Sequence, residues 1–294
     1  MRVLVTGAGG MLGRDLVGLL ANQPEHKVTA ATRNELDITD AAAAHDAVVG
    51  HDIVVNAAAW TDVDAAEQDE PAATTVNGAA VGHLATACAR HGTRLLQIST
   101  DYVLPGDATV PYREDAPTSP VNAYGRSKLT GERAVTRLLP DAGYVVRTAW
   151  LYGAHGHNFV STMLRLADQR ETLDVVDDQR GQPTWSGALA RQLVALAEAA
   201  LAGRAAPGVY HGTCAGETTW YGLARAVLAL HGLDPERVRP TSSARFRRTA
   251  ARPAYSVLGH DRWAEAGLPP MPDWHAALVA ACSPEGPPSP WRIT

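Results

Sequence analysis

Tyr124 and Lys128, in the segment AYGRSKLTGER, stand four residues apart. On a helix this spacing puts both side chains on one face, one turn apart. A phenol with a pKa of about 10 exchanges its proton poorly near neutrality, and a neighbouring ammonium favours its ionised form. Lys128 is one of two lysines among 26 lysines and arginines, in a chain that otherwise uses arginine for positive charge. Its compact ammonium can hydrogen-bond a ribose and bias Tyr124 together, which a planar guanidinium does with different reach. A plain surface lysine is the competing explanation, and composition alone does not remove it. Thr100 closes the run RLLQIST, a strand whose carboxyl end faces the ligand side of a parallel sheet. These side chains suit carbonyl reduction: a nicotinamide gives hydride, Tyr124 protonates the developing alkoxide, and Thr100 hydrogen-bonds the same oxygen.

A hydride donor needs a seat, and GAGGMLG offers one between the strand RVLVT and the helical GRDLVGLLAN. Gly7, Gly10 and Gly13 permit unusual backbone angles and a close approach of main chain to a pyrophosphate. The turn through Met11 and Leu12 then presents helix amides to the phosphates. The spacing is GxxGxxG rather than GxGxxG, and its place directly after the first strand is what marks a dinucleotide site. The second strand ends in Thr32-Arg33, with no acid before Glu35. Arg33 can pair with a 2'-phosphate where an acid would bind a ribose hydroxyl, so NADPH is the expected coenzyme.

The elements that must position these groups alternate along the chain. Short β-branched runs (RVLVT, KVTAAT, DIVVNAAA, RLLQIST, YVVRTAW) are separated by alanine- and leucine-rich helical stretches. That rhythm predicts an α/β fold, a Rossmann-type doubly wound parallel sheet with a smaller C-terminal substrate lobe. Residues 1–150 are expected to bind NADPH. Residues 151–294 mainly form the substrate lobe, with a helix at about 186–203 packing back on the sheet, and EGPPSPWRIT reads as an extended, poorly ordered tail. A formal charge of -5 without a basic stripe argues against nucleic-acid or anionic-membrane surfaces. Cys88, Cys214 and Cys282 are too few and too far apart for a disulfide framework or a metal site. No apolar run has the length of a membrane span or signal-peptide core, which with free thiols predicts a cytoplasmic protein.

The segments GAGGMLG, NAAAWTDVDAAE, STDYV, SPVNAYGRSKLTGE, RTAWLYG, DDQRGQPT, TTWYGLA and MPDW resemble the extended short-chain dehydrogenase/reductases, most closely their dTDP-4-dehydrorhamnose reductase branch. The resemblance implies reduction of the 4-keto group of dTDP-4-dehydro-6-deoxy-L-mannose by NADPH, with NADH as an alternative donor, and Thr100, Tyr124 and Lys128 as the catalytic set. It places Asp37 and Ile38 against the adenine and Ala57, Ala58 and Ala59 beside the coenzyme. Thr61, Val63, Tyr102 and Trp150 match positions lining the sugar-nucleotide pocket, and the two rings offer apolar faces to a deoxysugar or thymine. Two departures stand out. The family's RPxNS reads Arg252-Pro253-Ala254-Tyr255-Ser256 here, and the tail PSPWRIT lacks the acids with which some members bridge a dimer through magnesium. No metal is therefore expected, and the chain is read as a monomer or homodimer.

Rival activities on this fold make distinct demands. A sugar-nucleotide dehydratase needs an Asp-Glu pair after the threonine, whereas Thr100 is followed by Asp101 and Tyr102. A 4-epimerase shares the triad but retains its NAD. A non-catalytic regulatory subunit has no need of an intact Thr100, Tyr124 and Lys128. A reductase for another 4-keto-deoxysugar, such as the dihydrostreptose type, shares every motif and stays open.

Overall fold

The computed structural model describes residues 1–246 and 248–283. The first strand, β1 (Arg2–Thr6), is buried after its first residue and runs into the glycine turn and α1 (Met11–Ala21). Next come β2 (Lys27–Ala31), α2 (Ala41–Val48) and β3 (Ile53–Asn56). Two short helices, α3 (Val63–Gln68) and α4 (Glu70–Thr74), pass through a π-helical turn at Thr75–Ala79 into α5 (Ala80–His91). Then follow β4 (Arg94–Thr100), a 3-10 turn at Asp101–Val103, α6 (Ala123–Leu138) and β5 (Gly143–Thr148).

Beyond β5 lie β6 (Leu151–Tyr152), α7 (Phe159–Gln169), β7 (Leu173–Val176), β8 (Arg180–Gly181) and β9 (Thr184–Trp185). They lead to α8 (Ser186–Leu201), β10 (Gly208–His211), β11 (Thr218–Thr219) and α9 (Trp220–Leu230). The described chain closes with β12 (Val238–Thr241), α10 (Asp261–Glu265) and α11 (Trp274–Cys282). The segment EGPPSPWRIT lies outside the described residues.

One six-stranded sheet, ordered β2-β1-β3-β4-β5-β10, has every pair parallel. Successive side chains of a strand leave opposite faces, so a parallel sheet covered on both sides needs two cores. Val3 and Val5 pack with Leu16 and Leu20 of α1 and Leu189 and Leu193 of α8. Leu4, between them in sequence, packs with Val48, Leu84, Cys88 and Val135 of α2, α5 and α6. The strand order turns around between β1 and β3, which opens a crevice at the strands' carboxyl ends, where doubly wound sheets take ligands.

The strand rhythm of the sequence stops at Trp150, yet the sheet draws its sixth strand from Gly208–His211. Four residues, GVYH, suffice there because β5 offers an open parallel edge, and Tyr210 and His211 are buried against it. Other pairs, β7 with β12 and β8 with β11, are separate two-stranded ribbons. Cys88, Cys214 and Cys282 are buried and free. Among the described residues no helix is long and apolar enough to cross a membrane.

Candidate active site

The glycine turn is built to let main chain touch main chain. Gly7 has φ +67, and a Cβ there would sit 2.5 Å from the Ala58 nitrogen and 2.7 Å from the Ala57 carbonyl carbon. A Cβ on Gly13 would collide with the Gly7 carbonyl oxygen, so glycine at both positions draws β1, α1 and the β3 end together. Gly10 caps α1 and donates its N–H to the Gly7 carbonyl at 3.0 Å. Met11 and Leu12 form the helix's first turn, Leu12 pointing into the core. On the β2 side Ala8 donates to the Ala31 carbonyl at 3.1 Å, which sets the turn beside Thr32 and the exposed Arg33. Glu35 folds back to accept from the Thr32 N–H and hydroxyl, both at 2.8 Å, and these bonds lower its pKa. Asp37 is exposed and accepts from Thr39, while Ile38 is buried. Ala57, Ala58 and Ala59 are half-buried at the β3 end.

A chain of buried polar groups runs across the sheet from that turn to Lys128. The Thr6 hydroxyl donates to Asn56 Oδ1 at 2.5 Å, Asn56 Nδ2 to Gln97 Oε1 at 2.7 Å, and Gln97 Nε2 to the Ile98 carbonyl at 2.7 Å. That carbonyl also accepts from Lys128 Nζ at 2.6 Å. Lys128 is buried, which pulls its pKa down to about 8, and Glu132 one turn later acts the other way. Glu132 is itself held, by Arg147 of β5 at 3.0 and 2.8 Å and by the Ser99 hydroxyl at 2.6 Å. The ammonium is thus aimed at a main-chain carbonyl. The groups acting on the Tyr124 phenol are instead Asp101 and Thr100.

Helix α6 comes close to the turn after β4 and to the π-helical turn because two of its residues lack side chains. A Cβ on Gly125 would strike the Tyr102 carbonyl oxygen, and one on Gly131 the Asn77 carbonyl oxygen. Asn122 caps the helix by accepting from Gly125 N at 2.8 Å and ties it to the Ala251 carbonyl at 2.9 Å. Asn77, on the π-helical turn, donates to Ser127 Oγ at 2.9 Å and exchanges hydrogen bonds with the Trp60 main chain. The Tyr124 phenol is half-buried beside the Tyr102 ring, edge to face at 6.0 Å. Burial and the Asp101 carboxylate raise its pKa, and the nearby Thr100 hydroxyl acts the other way. Thr100 donates to Asp101 Oδ1 at 3.0 Å and accepts from the Tyr102 N–H at 3.2 Å.

A cavity of about 720 Å³ opens beside Tyr102, within the range of small-molecule sites. Phe159, Met163, Trp220 and Phe246 supply apolar walls, and Arg170, Arg248 and Arg252 supply positive charge. Tyr102 is the sequence-predicted pocket residue that lines it. Trp150 lies behind Trp220, the two rings stacked at 3.6 Å with a 9° tilt. It is held at φ +46 over Gly181, where a Cβ would come within 2.6 Å of the indole. Thr61 is exposed at the approach to α3, and Val63 opens that helix. Neither is among the cavity-lining residues. Trp220 was visible in the sequence only as an aromatic in TTWYGLA, and Phe159 follows Asn158 with no spacing to link either to Tyr102. Among the described residues no group of three or more metal-ligating side chains comes together.

Fold and site together define an extended short-chain dehydrogenase/reductase: one parallel sheet, a glycine turn at its switch point, and a strand-end threonine facing a YxxxK helix. Within that class the chain belongs to the family described as the RmlD substrate binding domain, whose model matches residues 1–285. It is 55% identical to a dTDP-4-dehydrorhamnose reductase of Streptomyces griseus, covering 98% of this chain and 97% of that one. It is 54% identical to a dTDP-4-keto-6-deoxy-D-glucose reductase of Streptomyces niveus, over 95% and 96% of the two chains. The fold is similar to a dTDP-4-dehydrorhamnose reductase from Bacillus anthracis solved with NADP, with a TM-score of 0.88, 35% identity and coverage of 95% and 98%.

Proposed function

We propose that the chain reduces the 4-keto group of dTDP-4-dehydro-L-rhamnose with NADPH, forming dTDP-L-rhamnose. The observation that carries this is the grouping of Thr100 and Tyr124 with Tyr102, which lines an aromatic, arginine-bearing cavity. The glycine turn fits a dinucleotide, because Gly9 and Gly10 are exposed at the N-terminus of α1, which carries no side-chain cap. Gly7, Gly10, Met11, Leu12 and Gly13 would take its pyrophosphate, Arg33 its 2'-phosphate, Asp37 and Ile38 its adenine, and Ala57, Ala58 and Ala59 its inner flank. Bound there, NADPH supplies the hydride, and NADH is the weaker alternative.

The chain's own groups handle the proton and the pose. Tyr124 is a neutral phenol at physiological pH because burial and Asp101 hold its proton, so it is loaded as a general acid. Lys128 keeps most of its charge at neutrality with a pKa of about 8, and its ammonium would hold the ribose hydroxyls of the bound dinucleotide. Thr100 orients the keto oxygen. Arg170, Arg248 and Arg252 face the diphosphate, and Tyr102, Phe159 and Trp220 the thymine and deoxysugar. Trp150 supports Trp220 from behind, and Thr61 and Val63 reach the sugar across the approach to α3.

The buried free thiols suit a reducing cytoplasm, in which the protein acts as a monomer or homodimer on a small-molecule substrate, with neither nucleic acid nor membrane as partner. A second reading, 4-ketoreduction of another dTDP-deoxysugar, is favoured by the 54% identity to the Streptomyces niveus reductase. The test supplies NADPH and the 4-keto-L-sugar nucleotide, follows reduced-nicotinamide absorbance, and identifies the sugar by NMR. One NADPH consumed per rhamnosyl nucleotide is expected. Absorbance that holds steady with this substrate and falls with the D-gluco ketone assigns the second reading, and no loss with either removes both.

A further inference from the structure

Asp101 is a buried carboxyl, 3% exposed, that acts on the Tyr124 phenol and also takes the hydrogen of the Thr100 hydroxyl. Its Oδ1 takes the Thr100 hydroxyl hydrogen at 3.0 Å, and its Oδ2 has no hydrogen-bond partner among the described residues. The Ser256 hydroxyl lies near enough to favour the carboxylate, and no hydrogen bond joins it to Oδ2. A hydroxyl has one hydrogen to give. While Thr100 spends it on Asp101 and accepts from the Tyr102 N–H, it has nothing to offer a substrate oxygen. An ionised Asp101 also sets a negative charge beside the place where alkoxide charge develops, and strengthens the hold of Tyr124 on its proton.

We propose that Asp101 is a positioning residue for Thr100, releasing the hydroxyl hydrogen toward the keto oxygen when protonated and withdrawing it when ionised. The proton enters from solvent onto the carboxyl, which then donates to Thr100 Oγ1 while the threonine hydroxyl rotates. Burial pushes the Asp101 pKa up to about 6, which brings this switch near physiological pH. The titratable groups around it are the Tyr124 phenol from α6, the Tyr102 phenol of its own turn, and Arg252, which is paired with Asp64 at 3.0 Å and acts on Tyr102. Lys128, on the same helix as Tyr124, is directed at the Ile98 carbonyl, and Glu132 is taken by Arg147. Arg252 is thus partly neutralised by Asp64, and burial is the largest cause acting on Asp101.

The inference rests on the proposed reduction, and the test separates the two. In wild type, kcat/KM for the keto sugar at saturating NADPH should fall on the order of 100-fold as pH rises through the Asp101 titration, the loss of one oxyanion donor. Asp101→Asn, of the same shape and permanently neutral, should hold the low-pH value across that range. A variant that keeps the wild-type limb, or is as inactive as Tyr124→Phe, overturns the proposal. Carboxyl carbon NMR of the protein without substrate gives a readout free of turnover. One resonance absent from Asp101→Asn should titrate near pH 6, and titration at the ordinary aspartate value of about 3.9 overturns the proposal. A wild type with no turnover and a carboxyl titrating near 6 removes the reductase reading, and with it the role of Asp101 in that reaction.

Discussion

Lys128 is 4% exposed, and that burial disfavours its charged form. Its folded pKa of about 8 lies below the ordinary 10.5, so between those values the unfolded chain binds a proton that the folded chain does not. The penalty is therefore complete below about pH 8 and vanishes as pH rises past 10.5, and its size is roughly 3 kcal/mol. Lys128→Met should raise stability in urea at pH 7 by about 1–3 kcal/mol, show a smaller gain at pH 10, and abolish turnover. A destabilised Met variant would show that Lys128 is structural. The rarity of lysine in this chain pointed to the residue. Its partners, the Ile98 carbonyl and Glu132, were not legible, because one is main chain and the other lies within a helix of ordinary composition.

At the scale of elements, the five strands named from β-branched runs and the glycine turn were legible because their patterns are local. The closeness of α6 to the β4 end was not, since it depends on what faces Gly125 across space. Adding one methyl there meets the Tyr102 carbonyl and a Pro120 carbon at 2.9 Å. Gly125→Ala should cost about 1–3 kcal/mol in urea unfolding. It should also lower kcat by on the order of 100-fold as Tyr124 moves off Thr100. Gly18→Ala, in α1 with nothing within 4 Å of the added carbon, is the control. It should stabilise by up to about 1 kcal/mol and leave kcat alone. Equal effects at both sites would remove the argument for close packing. The sixth strand went unread for a related reason: GVYH is too short to announce itself without β5 beside it.

For the whole molecule, the cavity joins Tyr102, Phe159, Trp220 and Arg252 from four distant segments, so no spacing in the chain could have assembled it. The glycine turn and Arg33 could be named from the chain alone, because they follow the first and second strands directly. Arg33→Ala should cut the preference for NADPH over NADH at least about tenfold, the worth of a charge-assisted hydrogen bond at an exposed site. Ratios of kcat/KM for the two coenzymes measure it, and an unchanged ratio would remove Arg33 from 2'-phosphate recognition. One proton, that of Tyr124, joins both ends of the crevice. The most direct test of that link is single-turnover oxidation of bound NADPH by the 4-keto sugar nucleotide in wild type and Tyr124→Phe, with NADPH affinity measured alongside. Equal affinity and a rate lower by about 100- to 10,000-fold in the variant are expected. A wild-type rate in Tyr124→Phe would contradict it.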